Sequence, residues 1–430
     1  MTTTVPSPSS AVVILGAGLA GARAAETLRA EGFGGRLLLL GDEAERPYER
    51  PPLSKDYLRG ETDPNSLYVH QDGFYATHDI ELHTSTPVRS IDVAQRQVEL
   101  ASGERIAYDR LLLSTGAAPR RLPLPGDDLE GIHYLRTRRD AEVLAAAAAR
   151  AEHVVVVGTG WIGSEAAASL RQLGRQVTLV GPDRAPLARV LGPEVAGVYR
   201  ELHADHGVRL ALGTRVAGFR GHGRVEAVLT SDGRTIEGDL VLVGAGAVPR
   251  TELAEAAGLP IRNGVLADER LQVLGAAGVF AAGDVAAAWH PRYQRYLRVE
   301  HWANAFNQGP AAARSMLGIP TSYERLPYFY SDQYDLSIQH AGLATAWDQV
   351  VVRGDPATHA FLAFWLKDQQ VVAGMHANVW DAIEPIQTLI GDGRPVDPVR
   401  LADPDIPLDQ VAAEHAGLRS GALAAGGSIR

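Results

Sequence analysis

The chain of 430 residues contains no cysteine. This excludes a disulfide framework, a zinc–thiolate site, a cysteine-ligated iron–sulfur cluster and a redox-active disulfide. The sequence also lacks an uninterrupted apolar run of the roughly 18 residues that a membrane span requires. An excess of basic residues is missing too, since the formal net charge is −10, which argues against a nucleic-acid partner. The histidines are scattered without ligand spacing, so no metal site is predicted.

The amino-terminal residues are not expected to form a signal peptide. They lack a basic segment, and the apolar stretch that follows is interrupted by Gly16, Gly18 and Gly21. Residues 1–10, rich in Thr, Ser and Pro, are predicted to be disordered. A soluble cytoplasmic protein is therefore expected, and its length predicts two or three domains.

Two glycine-rich motifs are the most informative feature that is present. The first, GAGLAG at 16–21, follows the apolar run 11–15, and the second, GTGWIG at 158–163, follows the valines at 154–157. Each predicts a strand, a tight turn and a helix start that holds a pyrophosphate. Two such motifs in one chain indicate two dinucleotides and electron transfer between a flavin and a nicotinamide. The loop residues predicted to contact them are Gly16, Gly18, Ala20, Gly21, Gly158, Gly160, Ile162 and Gly163.

A second repeat supports the same organisation. LLLSTGAAPR at 111–120 is similar to VLVGAGAVPR at 241–250. Each lies roughly 90 to 100 residues beyond its own glycine loop, a separation that suits a doubly wound nucleotide-binding domain. The strand at 36–40 then leads to Asp42, with Glu43 beside it. An acid about 20 residues beyond the glycines typically binds a ribose hydroxyl, so Asp42 is predicted to do so.

The later motif Gly283-Asp284 ends a buried strand and is predicted to open a helix. A first domain interrupted by a second is therefore expected. The predicted class is α/β, with two doubly wound Rossmann-like domains and a carboxy-terminal α+β domain. The predicted domains are an FAD-binding domain at 1–120 and 251–325, an NAD(P)-binding domain at 121–250, an interface domain at 326–413 and a flexible tail at 414–430.

Four further motifs are more specific than either glycine loop. They are RPYERPPLSK at 46–55, Gly283-Asp284, RVEHW at 298–302 and YFYSDQYD at 328–335. In their order they resemble the FAD-dependent ferredoxin reductases, of the putidaredoxin reductase and biphenyl dioxygenase reductase type. The resemblance covers nearly all of residues 10–400. It implies a glutathione-reductase-like architecture in which NAD(P)H reduces FAD and single electrons then pass to a small ferredoxin.

By this resemblance, Lys55 lies beside the flavin N5 edge and stabilises negative charge on the reduced ring. Ser54 is expected to cap a helix whose first turn contains Lys55. Glu165 corresponds to the position that pairs with this lysine near the nicotinamide, so the two are the predicted catalytic residues.

The resemblance also implies further cofactor contacts. Arg50 is expected to bind the FAD pyrophosphate or adenine through its planar donors, and Asp284 to accept a hydrogen bond from a ribityl hydroxyl. The segment of Trp302 is expected to lie along the isoalloxazine. The remaining predicted contacts are Thr115, Gly116, Arg120, Gly246, Gly283, Glu300 and His301.

Two positions depart from the family pattern. Tyr330 stands where close relatives often carry Trp, on the electron-exit side of the flavin. Gly181 stands where an acid normally selects NADH through its ribose hydroxyls. Without this acid, nothing at this position repels the 2′-phosphate of NADPH, and Arg184 or Arg189 would attract it. Alternatively, Asp183 would replace the missing acid. The resemblance favours NADH, and NADPH use stays open.

The expected electron acceptor is a [2Fe–2S] ferredoxin, or alternatively a rubredoxin, serving a cytochrome P450 or a ring-hydroxylating dioxygenase. The protein is expected to be a monomer or a weak homodimer. One alternative is an NAD(P)H oxidase; a peroxidase of this superfamily would require a cysteine near residue 50, and none is present. A second alternative is a redox protein similar to apoptosis-inducing factor, which shares the 50–55 and 298–301 segments.

Overall fold

The computed structural model describes residues 10–412 and divides into two compact units, one ending at Gln339 and one beginning at His340. The predicted tail at 414–430 and nearly all of the predicted disordered segment at 1–10 lie outside the described residues. Both predicted nucleotide-binding domains fall within the first unit. The boundaries given above stay predictions.

The first glycine loop follows the central strand of a parallel five-stranded sheet. That strand, AVVIL at 11–15, pairs in register with RLLLL at 36–40. Both strands are almost wholly buried, as expected for a parallel sheet covered on both faces. Across the sheet the strands are β19 Val279–Ala281, β7 Arg110–Leu113, β1 Ala11–Leu15, β2 Arg36–Leu40 and β3 Ile80–His83, so a strand that follows the second nucleotide region in sequence completes the first sheet. The elements up to residue 120 are β1 Ala11–Leu15, α1 Leu19–Ala30, β2 Arg36–Leu40, α2 Asp56–Arg59, α3 Phe74–Thr77, β3 Ile80–His83, β4 Val88–Asp92, β5 Gln97–Leu100, β6 Arg105–Ala107, β7 Arg110–Leu113 and β8 Ala117–Pro119.

The second glycine loop repeats this arrangement. Its sheet has the order β12-β11-β10-β16-β9, again parallel, with the strand before the glycines at the centre. The internal repeat of the sequence is thus a repeat of topology. The elements from 121 to 250 are β9 Ile132–His133, α4 Arg138–Ala148, β10 His153–Val157, α5 Trp161–Gln172, β11 Gln176–Gly181, α6 Ala188–Asp205, β12 Arg209–Leu212, β13 Val216–His222, β14 Arg224–Thr230, β15 Thr235–Glu237, β16 Leu240–Val243 and β17 Ala247–Pro249.

Two cores cover the faces of the first sheet. Val12 and Ile14 belong to one, and Val13 belongs to the other, because successive side chains of a strand point to opposite faces. The first core holds α1 against the helix at 302–316, where a β-carbon on Gly309 would overlap the Ala20 carbonyl. Small residues therefore allow these two helices to approach closely. The remaining elements of the first unit are α7 Glu252–Ala256, β18 Val265–Ala267, β19 Val279–Ala281, β20 Ala286–His290, β21 Arg295–Leu297, α8 Trp302–Met316, β22 Tyr328–Gln333 and β23 Leu336–Gly342, whose last residues enter the second unit.

Two local predictions are wrong. Gly283-Asp284 does not open an α-helix: a single 3-10 turn at Gly283–Val285 leads directly into β20, and α8 begins only at Trp302. Ser54 does not cap a helix either. It ends the 3-10 turn Pro51–Ser54, Lys55 links that turn to the short α2, and the serine hydroxyl binds a carboxylate from another element.

The second unit contains an antiparallel β-meander followed by helices. Its strands β24, β25 and β26 pair in sequence order, and the middle strand AFLAFWLK is buried along nearly its whole length. An α-helix at Ile383–Asp392 follows the strands. The elements of this unit are β24 Gln349–Asp355, β25 Ala360–Lys367, β26 Gln370–Ala377, α9 Ile383–Asp392 and α10 Pro398–Ala402.

Candidate active site

Both glycine loops have the shape and the polarity that suit a pyrophosphate. Gly16 and Gly158 have φ angles of +110° and +115°, which L side chains rarely adopt, and a β-carbon on either would overlap the carbonyl of a neighbouring strand end. The middle glycines, Gly18 and Gly160, face open space, with no atom within 4 Å of an added β-carbon. Neither following helix has a side-chain cap or an acid in its first turn, so its first N–H groups are suited to an anion.

The third glycines provide close packing of helix on strand. A β-carbon on Gly21 or Gly163 would overlap the carbonyl oxygen of the first glycine in the same loop. Ala20 is buried beside Gly21, whereas Ile162 is 45% exposed in the second loop. The predicted loop residues therefore lie where the motif requires, and their contacts with a dinucleotide stay predictions.

A buried ion pair lies at the centre of the site. Lys55 Nζ is 2.7 Å from Glu165 Oε2, and both residues are less than a tenth exposed. Ser54 Oγ donates to the same carboxylate oxygen at 2.5 Å, and Ser331 Oγ donates to Glu165 Oε1 at 2.7 Å. The structure thus brings together the two predicted catalytic residues, which are 110 positions apart in the chain.

This pair connects three parts of the fold. Lys55 lies in the segment after β2, Glu165 on the helix of the second glycine loop and Ser331 on β22. A buried charge is stable only when it is paired and hydrogen-bonded, and here the carboxylate accepts from three donors. Sequence reasoning missed Ser331 as a member of the site, although it lies within the motif at 328–335.

The acids after β2 are already engaged by protein cations. Asp42 forms an ion pair of 2.8 Å with Arg250, the last residue of the second repeat. Glu43 accepts from Tyr48 and from Arg50, whose guanidinium also donates to the Arg136 carbonyl at 2.6 Å. The predicted roles of Asp42 and Arg50 toward FAD stay predictions.

Asp284 forms an interaction that the sequence did not suggest. Its carboxylate is 2.6 Å from the Arg136 guanidinium, and its backbone carbonyl accepts from Arg298. Arg298 also pairs with Glu300 at 2.6 Å. The preceding Gly283 donates its N–H to Gln308 on α8, which fixes this turn against the helix. No sequence motif marks Arg136.

An aromatic cluster adjoins the ion pair. The Tyr330 ring centroid is 5.7 Å from Lys55 Nζ and 6.4 Å from the Trp302 ring. The Trp302 indole donates to the Glu49 carboxylate, whose pKa is raised by burial. Burial also lowers the pKa of His301 to about 4, so its ring is neutral at pH 7. Tyr330 therefore lies between the lysine and the tryptophan segment predicted to contact the flavin.

The Gly-x-x-Pro-Arg repeats pair with each other. The three residues after Gly116 and those after Gly246 form the antiparallel ribbon β8–β17, and Arg120 N donates to the Gly246 carbonyl at 2.8 Å. Thr115 Oγ1 donates to the Arg250 carbonyl at 2.8 Å. Similarity between the two repeats was visible in the sequence, but their direct pairing was not.

The strand end at Gly181 leaves no room for a side chain at the position where an acid normally selects NADH. A β-carbon there would lie 2.8 Å from Thr159 Oγ1. Asp183 lies in the same register as Glu43 of the first sheet, since both strands align identically with their central strands. Its carboxylate is 3.4 Å from Thr159 Oγ1 and 2.8 Å from Arg189 Nε, while Arg184 is exposed.

Among residues 10–412, no group of three or more potential ligands is placed to hold a metal ion. No described helix combines the length and apolar character needed to cross a membrane.

Known proteins resemble the chain over nearly its whole length. Residues 10–309 match the pyridine nucleotide-disulphide oxidoreductase family and residues 328–412 the reductase C-terminal family. Rhodocoxin reductase of Rhodococcus erythropolis is 38% identical over 94% of this chain and 95% of its own. The ferredoxin reductase subunit of 5,5'-dehydrodivanillate O-demethylase from Sphingobium sp. is 40% identical over 93% and 98%. A solved covalent putidaredoxin reductase–putidaredoxin complex matches with a TM-score of 0.90 at 37% identity, covering 94% of this chain and 98% of that chain.

Proposed function

Because the chain belongs to the pyridine nucleotide-disulphide oxidoreductase family, and within it to the FAD-dependent ferredoxin reductases, we propose that it transfers electrons from NAD(P)H through FAD to a ferredoxin. The observation that carries this proposal is the buried Lys55–Glu165 pair. It joins the segment after β2 of the first sheet to the helix of the second glycine loop. Two dinucleotides bound at these loops would meet at this pair.

FAD fits the first glycine loop and the residues around it. When bound, FAD supplies the chemistry of this reaction, accepting a hydride from the nicotinamide and releasing electrons singly. The chain would hold its pyrophosphate at the uncapped start of α1, with Asp284 and Arg50 as polar contacts. We propose an FAD-binding domain at 1–120 and 251–325, an NAD(P)-binding domain at 121–250 and an interface domain at 326–413.

Lys55 would provide positive charge where the reduced cofactor gains negative charge. Glu165 keeps the ammonium group in a fixed position at 2.7 Å, so little reorganisation is needed when the charge develops. A preorganised charge in a buried site contributes more than the same charge in water, because the effective dielectric constant is lower.

The proposed electron acceptor is a [2Fe–2S] ferredoxin that serves a cytochrome P450 or a ring-hydroxylating dioxygenase. The absence of cysteine supports an external acceptor, because this chain has no disulfide of its own to reduce. The predicted cytoplasmic location stays a prediction.

The test is NADH- or NADPH-driven reduction of cytochrome c by the purified, FAD-loaded protein, with and without a [2Fe–2S] ferredoxin. We expect the rate to depend strongly on the ferredoxin. A parallel assay with a rubredoxin, and a measurement of oxygen consumption, test rubredoxin and molecular oxygen as the alternative acceptors.

Rapid oxygen consumption without dependence on either carrier would overturn the proposal in favour of an oxidase. A stable reduced dimer that is slow toward both carriers would favour the alternative similar to apoptosis-inducing factor. Protein that neither retains nor takes up FAD would contradict all three.

A further inference from the structure

The motif YFYSDQYD contains two buried polar residues that the proposed function does not use. Ser331 and Gln333 are each 1% exposed and lie on β22, on the same face because they are two residues apart. Buried polar side chains are stable only when they are hydrogen-bonded, so their partners indicate what these residues do.

The partners form a continuous chain. His203 Nε2 on α6 is 3.0 Å from Gln333 Oε1. Gln333 Nε2 is 3.3 Å from Ser331 Oγ, which is 2.7 Å from Glu165 Oε1. The other oxygen of Glu165 faces Lys55. A polar path therefore leads from α6 to the ion pair.

The direction of the hydrogen bonds follows from the groups involved. Burial lowers the pKa of His203 to about 4, and its Nδ1 has no hydrogen-bond partner among the described residues, so the neutral ring donates through Nε2. The Gln333 oxygen accepts this bond, its amide nitrogen then donates to Ser331, and the hydroxyl hydrogen of Ser331 is left for Glu165. Every donor in the chain is oriented toward the carboxylate.

We propose that Ser331, oriented by Gln333 and His203, is a positioning residue that fixes the Glu165 carboxylate and thereby the Lys55 ammonium group. Without this bond the carboxylate keeps donors on one oxygen only, and its orientation is less constrained. Lys55 then loses its fixed position toward the flavin. This inference rests on the proposed function and extends it to residues of β22 and α6.

Other titratable groups surround the Lys55–Glu165 pair, and none of the variants described below replaces them. Tyr199 of α6 and Tyr330 of β22 lie close enough to Glu165 for its charge to help raise their pKa values, and burial is the largest cause of both shifts. Asp332 affects both tyrosines in the same direction. Both phenols therefore stay protonated at neutral pH.

The experiment compares Ser331→Ala with the wild type as FAD-loaded protein, without ferredoxin. We expect flavin reduction to slow by about tenfold, the size expected for one hydrogen bond to a charged group. The flavin midpoint potential should shift downward, in the direction expected for loss of the Lys55 charge. Ser331→Thr, which keeps the hydroxyl, should restore both values. Gln333→Met should produce a smaller change of the same sign.

Lysine labelling gives a readout that does not depend on electron transfer. The chain contains only two lysines, Lys55 and Lys367. Lys367, whose side chain is 44% exposed and pairs with Asp348, serves as the internal standard for acetylation measured by peptide mass spectrometry. The ratio of Lys55 to Lys367 labelling should rise in Ser331→Ala. The matched control is Ser337→Ala, which removes a serine-to-carboxylate bond at an exposed position and should leave the ratio unchanged.

A double variant decides whether Ser331 acts through Glu165. In a Glu165→Gln background, Ser331→Ala should cause little further change in potential, because the carboxylate that it orients is gone. Fully additive effects, or a Ser331→Ala protein with wild-type potential and labelling, would overturn the inference. Failure of the proposed function would appear separately, as wild-type protein that cannot hold FAD or reduce ferredoxin.

Discussion

Gly181 and Thr159 occupy complementary space at the second glycine loop: a β-carbon on Gly181 would lie 2.8 Å from Thr159 Oγ1 and 3.2 Å from Thr159 Cβ. The first loop has the same relationship, since a β-carbon on Gly41 would lie 2.7 Å from the Ala17 side chain. In both halves a glycine stands where the strand ends, at Gly181 of β11 and directly after β2 at Gly41, and the residue after the first loop glycine fills the adjacent space. An acid must therefore come from beyond the strand end.

Introducing the acid that the family pattern expects should need two changes. Gly181→Glu alone should lower thermal stability and bind both coenzymes poorly, because its β-carbon collides with Thr159. Thr159→Ala/Gly181→Glu should recover part of that stability, because the contacts with Thr159 Cγ2 and Oγ1 are removed and only the 3.2 Å contact with Cβ remains. It should favour NADH, because the carboxylate repels a 2′-phosphate. Thr159→Ala is the control. The measurements are melting temperature and kcat/KM for NADH and NADPH; a single variant as stable and as NADH-selective as the double would contradict the collision.

The wild type should discriminate only modestly between the coenzymes. We expect a kcat/KM ratio below about 150, which corresponds to about 3 kcal/mol. Asp183→Ala should shift the ratio toward NADPH, because Asp183 is the acid that lies just beyond the strand end, and Arg189 would then be released from its ion pair. Arg189→Ala should shift it the opposite way. An unchanged ratio in both variants would place ribose selection elsewhere.

Replacing Lys55 should slow reduction of the bound flavin. Lys55→Met keeps most of the side-chain volume but removes the charge, and we expect a loss of about tenfold to a hundredfold, or about 1.4 to 2.7 kcal/mol in the barrier. The flavin potential should fall in parallel. Stopped-flow reduction and potentiometry measure the two effects. Lys367→Met removes the other lysine and should change neither; an equal effect of both variants would show that only net charge matters.

Asp284→Ala should raise the dissociation constant for FAD by about tenfold to a hundredfold. This corresponds to about 1.4 to 2.7 kcal/mol, the size expected for the loss of a hydrogen bond to a charged acceptor. Asp284→Asn keeps an acceptor oxygen but loses the charge that faces Arg136. We expect the Asn variant to bind FAD more tightly than the Ala variant, as measured by flavin fluorescence titration. Equal weakening would indicate that Asp284 acts through Arg136 and not through a ribityl hydroxyl.

Stability should fall on acidification because of buried neutral histidines. Burial lowers the pKa values of His203 and His301 to about 4, so the folded protein binds fewer protons than the unfolded chain between about pH 6.5 and 4. Stability is therefore full above pH 6.5 and is lost as the pH falls through this range, by about 3 kcal/mol for each histidine. His301→Leu should flatten the dependence of melting temperature on pH, whereas His222→Leu, at a position whose side chain is 94% exposed, should not. Parallel curves for all three proteins would contradict this assignment.

The sequence by itself determined the class of fold and the positions of both glycine loops. Glycine spacing is dictated by local geometry, because a positive φ and a close approach of a strand tolerate no side chain. Both glycine loops were therefore predictable from their residue types alone. The strands around them were predictable because buried parallel strands are continuous apolar runs. The Lys55–Glu165 pair was predictable only through the family resemblance, because no spacing rule connects residues so far apart in the chain.

Only the tertiary structure decided which distant groups meet. Arg136 reaches Asp284, Ser331 reaches Glu165 and the two Gly-x-x-Pro-Arg segments pair, because packing of the sheets brings together residues that have no common local signal. Packing also overturned the helix cap predicted for Ser54: α2 begins at Asp56, so Lys55 and not Ser54 stands at its start, and the Ser54 hydroxyl donates to the buried Glu165 carboxylate. The collision of Gly181 with Thr159 likewise required coordinates, since it depends on the position of a β-carbon that the sequence does not contain.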